Sequence, residues 1–275
     1  MAPPHIVSFL LVDRISEFAP GAAARGHLRP SPGRAGLPPC LLVEAVGQLA
    51  AYVAMEWADF ASRSVAATAG EVRVLADALP DCELDLEIEV ISARSVAVGY
   101  RGRCSQHGTP ILAIERAVGA LLPMAEFDDP VRVRRELETL RGEGLPARSI
   151  ADPAALRNAE VREISASRLR AEITAPLTAS FYADHFPRRP VYPATLLLDA
   201  QLGLAAELLQ SDARSVARLE VVRHVKVRAF TPPGGRLAVE VERNATEDGR
   251  ARVDLRAASA AERVSSAVAE FVIDG

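Results

Sequence analysis

Two groups in this 275-residue chain stand where they could move protons. His185 opens the proline-rich stretch His185-Phe186-Pro187-Arg188-Arg189-Pro190-Val191-Tyr192-Pro193. Glu44 and Gln48 lie four positions apart inside the very apolar segment 41–55, so a helix there puts both side chains on one face. A carboxyl group in such surroundings resists ionisation, because burial disfavours the charged form. The two stretches are copies of one motif. An offset of 155 sets Pro38 against Pro193, Leu41 against Leu196, Glu44 against Asp199 and Ala45 against Ala200. Under the same offset His185 faces Pro30 and Gln48 faces Gly203, so each copy keeps what the other lacks. These complementary losses predict one working site where the two halves meet.

The surrounding pattern shows what must position these residues. Segments 41–55 and 196–209 are apolar nearly all round, which suits a helix wrapped by protein on every side. After each comes an alternating strand. In 82–90 the side chains of Leu84, Leu86, Ile88 and Val90 take one face, and Glu83, Asp85, Glu87 and Glu89 the other. In the second half Leu237, Val239 and Val241 are in phase, and Pro80-Asp81 and the run 232–235 supply the preceding turns. Further alternating stretches cover 111–122 and, with a break, 253–273. Between the halves a charged helix over about 130–140 starts at Pro130 and ends before Gly142. The expected organisation is an N-terminal unit at 1–125, a connector at 126–154 and a C-terminal unit at 155–275. One buried helix per curled antiparallel sheet is the hotdog arrangement. The expected fold class is therefore α+β, a double hotdog whose two sheets join edge to edge as an intrachain pseudo-dimer.

Composition excludes several functions. Hydrophobic residues are 49% and charged residues 25%, a globular balance. The net charge of −4 offers no general attraction to nucleic acid or to an anionic membrane. Cys40, Cys82 and Cys104 are widely spaced, form no C-x-x-C and suit neither a disulfide framework nor zinc. No metal and no cofactor is expected. The first residues lack a signal-peptide pattern, no segment reads as a membrane span, and a cytoplasmic location is the default expectation.

The motif residues resemble the 3-hydroxyacyl-acyl-carrier-protein dehydratases of bacterial fatty acid synthesis. Their signature, roughly H-F-P-G-x-P-V-x-P-G with an acid fourteen residues after the histidine, is matched by His185-Phe186-Pro187, Pro190-Val191, Pro193 and Asp199. The first half offers Pro32-Gly33, Pro38 and Val43-Glu44-Ala45 with Gln48, and its opening, PHIVSFLLVDRISEFAPG, is similar to the family's P-F-L-L-V-D-R-V start. Arg188 and Ala194 stand where the signature has glycine. The resemblance implies a shared site in which His185 removes the proton α to a thioester carbonyl and Glu44 delivers one to the leaving β-hydroxyl. It also implies an oxyanion site at the N–H groups of Ala194 and Thr195, and a Val191 carbonyl that orients the imidazole. An acidic acyl carrier protein, or the phosphates of coenzyme A, would suit the basic residues Arg188, Arg189, Lys226 and Arg228. Two chains could pair further as a homodimer of pseudo-dimers. A hotdog thioesterase, which also uses an acid on the central helix, and a non-catalytic acyl-binding or partner protein are the competing readings.

Overall fold

The computed structural model describes residues 7–30, 36–79, 81–146, 149–150, 159–210 and 216–274. Pro32, Gly33, Pro80 and part of the expected connector lie outside them. Both apolar segments are helices that start at the motif prolines. Helix α1 spans Pro39–Trp57 with Pro38 at its N-cap, and α4 spans Ala194–Leu209 with Pro193 at its N-cap. Their first residues are 155 positions apart, the offset of the sequence repeat. No side chain caps either N-terminus, and at α4 the N–H groups of Ala194 and Thr195 have no partner among the described residues.

Strands β1 (Val7–Ser8), β2 (Arg14–Ala19) and β3 (Ala23–Leu28) precede α1. After it come β4 (Ser62–Val74), β5 (Leu84–Arg94), β6 (Ala97–Gln106) and β7 (Thr109–Pro123). The short α2 (Met124–Phe127), α3 (Pro130–Arg141) and β8 (Ser149–Ile150) lead to the second set. That set has β9 (Ala159–Ile164) and β10 (Arg168–Thr174) before α4. After α4 it has β11 (Val216–Val227), β12 (Arg236–Glu247), β13 (Arg250–Ala258) and β14 (Arg263–Asp274).

Twelve strands form one sheet in the order β2-β3-β5-β6-β7-β4-β11-β14-β13-β12-β10-β9, while β1 pairs in parallel with β8. Read outward from the centre, both halves have the same sequence of strands. The strand that follows each helix is the one at the junction. There β4 and β11 run antiparallel, with Val222 opposite Val72 and Arg223 opposite Glu71.

Helix α1 packs on β3 to β7 and on α4, and α4 packs on β10 to β13. Leu41, Leu42, Leu49 and Val53 are fully buried in this seat, each contributing about 1.5–3 kcal/mol through burial. Gly102 on β6 permits the approach, since a Cβ there would lie 2.5 Å from Val46 Cγ1. One expectation needs correcting. At 19 residues α1 is long and apolar enough to cross a membrane by length and composition. In this structure it is a core helix, and the sheet supplies the apolar surroundings its composition requires.

The alternating strand read from the sequence is β5, with Leu84, Leu86 and Ile88 buried. Its acidic row meets arginines of the flanking strands, Glu87 with Arg25 at 3.1 Å and Glu89 with Arg101 at 2.7 Å. The charged helix is α3. Asp129 caps it by accepting from Val131 N at 2.8 Å, and Val133, Leu137 and Leu140 face inward.

Candidate active site

Glu44 and Gln48 project from the same face of α1, as the spacing requires. Gln48 Nε2 donates to Glu44 Oε1 at 2.8 Å and to the Phe9 carbonyl at 2.8 Å, while Gln48 Oε1 accepts from Leu11 N at 2.7 Å. Both amide protons are therefore used inside the protein, so Gln48 positions Glu44 and the segment 9–11. The other oxygen of Glu44 reaches across the junction, where Thr195 Oγ1 on α4 donates to Oε2 at 2.8 Å. Burial raises the Glu44 pKa from the usual carboxylate range. The hydrogen bonds from Gln48 and Thr195 and the nearby positive charge of Arg63 oppose that shift without overcoming it.

His185 enters from the other half, at the end of the 3-10 turn Ser180–Ala183, with its N–H bonded to the Phe181 carbonyl at 2.9 Å. Its ring meets Phe9 edge-on at 5.2 Å between centroids and Phe186 at 4.2 Å. Burial, with a smaller contribution from the charge of Arg63, pushes its pKa down to about 3. The imidazole is therefore neutral around pH 7. Phe186 has a φ of 60°, a left-handed conformation that is strained for a bulky residue. Its ring packs against that of His185, and the Arg63 guanidinium sits 5.1 Å from its centroid. It also packs edge-on against Phe127 at 5.2 Å.

Glu44, Gln48 and His185 line one cavity of about 140 Å³, together with Ala194, Thr195 and Val191. Among the described residues the main-chain N–H groups of Ala194 and Thr195 have no hydrogen-bond partner, as expected at the start of an uncapped helix. Pro30 and Asp199 are not part of this lining. The Val191 carbonyl does not orient the histidine, because no hydrogen bond joins the two among the described residues. Val191 is instead buried with Val65, Phe127 and Phe186, and aromatic packing holds the ring of His185.

The basic residues do not gather at the cavity either. Arg188 bonds the Ala125 carbonyl at 3.3 Å and pairs with Asp129 at 3.5 Å, which ties the His185 turn to α2 and α3. Arg189 pairs with Glu126 at 3.2 Å and lies over Phe127 and Phe230. Lys226 and Arg228 are exposed, whereas their neighbours Val227 and Ala229 line the cavity. Strand alternation thus turns these two charges to the outer face. His27 also faces outward, its ring nitrogens 3.0 Å from Asp85 Oδ1 and 3.2 Å from Ser16 Oγ.

Phe9, Arg63 and Tyr100, which the motif spacing does not single out, also line the cavity. Arg63 is one of many arginines and belongs to no motif, so no local signal marks it.

Residues 161–268 match the profile of the ApeI-like family, described as ApeI dehydratase, and this stretch contains His185. Among solved structures, the chain is similar to a provisionally assigned oleoyl thioesterase from Lactobacillus plantarum, with a TM-score of 0.62 and 8% identity over 91% of this chain and 96% of that one. It is also similar to the tesB protein of Mycobacterium avium subsp. paratuberculosis, with a TM-score of 0.58 and 11% identity over 94% and 96% of the two chains. An acyl-ACP thioesterase from Bacteroides thetaiotaomicron aligns with a TM-score of 0.55 and 13% identity over 90% and 97%. The mostly antiparallel sheet with few helices is thus the hotdog type of fold.

Proposed function

We propose that this chain is a double hotdog in which two units, with a connector between them, form one hybrid site that dehydrates a 3-hydroxyacyl thioester. The observation that carries this reading is the meeting of His185 from one half and Glu44 from the other in a single cavity, where burial raises the Glu44 pKa and keeps His185 neutral. Neutral His185 takes the proton from the α-carbon. The electron pair forms the α–β double bond as the β-carbon–oxygen bond breaks, and the Glu44 proton leaves with the hydroxyl as water. Proton transfer from the imidazolium to the Glu44 carboxylate then resets the site. The charge that develops on the thioester carbonyl oxygen is met by the open N–H groups of Ala194 and Thr195 and by the positive end of α4. The thioester arrives on an acyl carrier protein or on coenzyme A.

The thioesterases among the similar structures, together with the acid on the central helix, favour a second reading in which Glu44 activates water for hydrolysis. That role needs an ionised carboxylate, and burial drives Glu44 the other way. Mass spectrometry of 3-hydroxyacyl pantetheine thioesters incubated with the protein separates the two. A 2-enoyl thioester with the carrier still attached supports dehydration, and release of free acid and thiol supports hydrolysis.

A further inference from the structure

Two hydrogen-bond donors in the cavity have no role in that reaction. Arg63, near the start of β4, has only the Met55 thioether on its Nη1, at 2.9 Å, and the Phe186 ring beneath its guanidinium. Its Nε is buried without a partner, and among the described residues no carboxylate forms an ion pair with it. The nearby acids are engaged elsewhere. Glu44 is held by Gln48 and Thr195, and Glu136 by Tyr52 and Arg132. The Tyr100 hydroxyl is the second donor. It faces Gly47 on α1, where a Cβ would lie 3.5 Å away, and it has no hydrogen bond among the described residues. A guanidinium with such weak company is costly inside a protein, and an alkyl chain would leave it unpaired.

We propose that Arg63 reads a carboxylate carried by the acyl group, so that the site selects short 3-hydroxyacyl thioesters with an anionic tail. This specificity rests on the thioester-dehydration reading of the same cavity. Glu44, Gly47, Gln48, Ala51, Tyr52 and Met55 form one continuous face of α1 along the cavity. The Arg63 guanidinium lies 5.1 Å from the Phe186 ring centroid, and that ring lies 4.2 Å from the His185 ring. A thioester whose reacting carbons sit at His185 therefore needs only a short tail to bring its end to the guanidinium. The volume of about 140 Å³ is close to that of cavities of about 150 Å³ known to take benzene, so the tail is short. A planar guanidinium meets a carboxylate through charge-assisted hydrogen bonds, which no described residue supplies to Arg63.

The test compares two pairs of pantetheine thioesters, which carry no phosphate that Arg63 could bind instead. Adipyl and hexanoyl pantetheine, lacking the 3-hydroxyl, report binding by calorimetry without any chemistry. Their 3-hydroxy forms report kcat/KM for water loss. The expected result is at least tenfold tighter binding of the adipyl compound by the wild type, with the same bias in turnover. Arg63→Met should lower the adipyl-to-hexanoyl ratio tenfold or more, and Arg63→Lys should restore part of it. The fraction of folded protein cancels in each ratio, so a destabilised variant still reports. Equal or tighter hexanoyl binding by the wild type, or a ratio unchanged in Arg63→Met, overturns the assignment even if water is lost. Preferential adipyl binding with no water loss from either 3-hydroxy compound supports carboxylate recognition and overturns the dehydration reading alone.

Discussion

The Glu44 pKa is set by burial against three neighbours, and burial prevails, so it is raised. His185 is the opposite case, a base kept unprotonated by burial and by a nearby cation. The signs fix the pH behaviour. On the proposed mechanism water loss needs protonated Glu44, so the rate falls as pH rises through its raised pKa. It also needs neutral His185, which gains a proton only as pH approaches about 3. A kcat/KM profile should therefore show an alkaline limb and no acid limb through the weakly acidic range. An acid limb near 6.5, the ordinary histidine value, would contradict the buried imidazole. The same shift acts on stability. The unfolded chain binds a proton at His185 below about 6.5 and the folded chain does not, so stability is lost as pH falls between the two values. In acid titrations followed by circular dichroism, His185→Phe should lose less stability over that window than wild type.

At the scale of elements, the seat of α1 decides where Glu44 points. Gly102→Ala would place a Cβ 2.5 Å from Val46 Cγ1 and 2.9 Å from the Glu87 carbonyl oxygen. Overpacking of this kind costs about 1–3 kcal/mol, so urea unfolding should show a loss of that size. An unchanged midpoint would mean that the helix does not sit on β6 as described. The elements differ in how far the sequence reveals them. Both helices are legible because strongly apolar runs follow prolines, and β5 is legible because Leu84, Leu86 and Ile88 alternate with acids. Strand β4 is not, since Ser62–Val74 is rich in small residues, lies mid-sheet and carries a register shift between Ala66 and Thr68. Arg63 was missed for that reason. The Val191 carbonyl failed differently: a short motif fixes spacing, but the packing of Phe9 and Phe186 around His185 depends on residues far away in sequence.

On the scale of the whole molecule, the two halves repeat one strand order and meet at β4 and β11, where Arg223 pairs with Glu71 and bonds Glu270 at 3.0 Å. A continuous sheet and direct α1–α4 contact couple the halves. Trp57, the single tryptophan, lies in the first half, whereas far-UV circular dichroism reports both. Urea transitions by the two probes should coincide, and a separate Trp57 transition would contradict that coupling. The offset of 155 made the duplication legible. What it could not show is that His185 and Glu44 line one cavity whose lining, among the described residues, includes neither Pro30 nor Asp199. That pairing is tested most directly by measuring water loss from a 3-hydroxyacyl pantetheine thioester with wild type, His185→Ala, Glu44→Gln and Asp199→Asn. A single hybrid site predicts that the first two substitutions each lower the rate by about 10²–10⁴-fold, while Asp199→Asn, corrected for folded protein, retains it. Loss of activity in Asp199→Asn with retention in Glu44→Gln would place the acid in the other half and contradict the account.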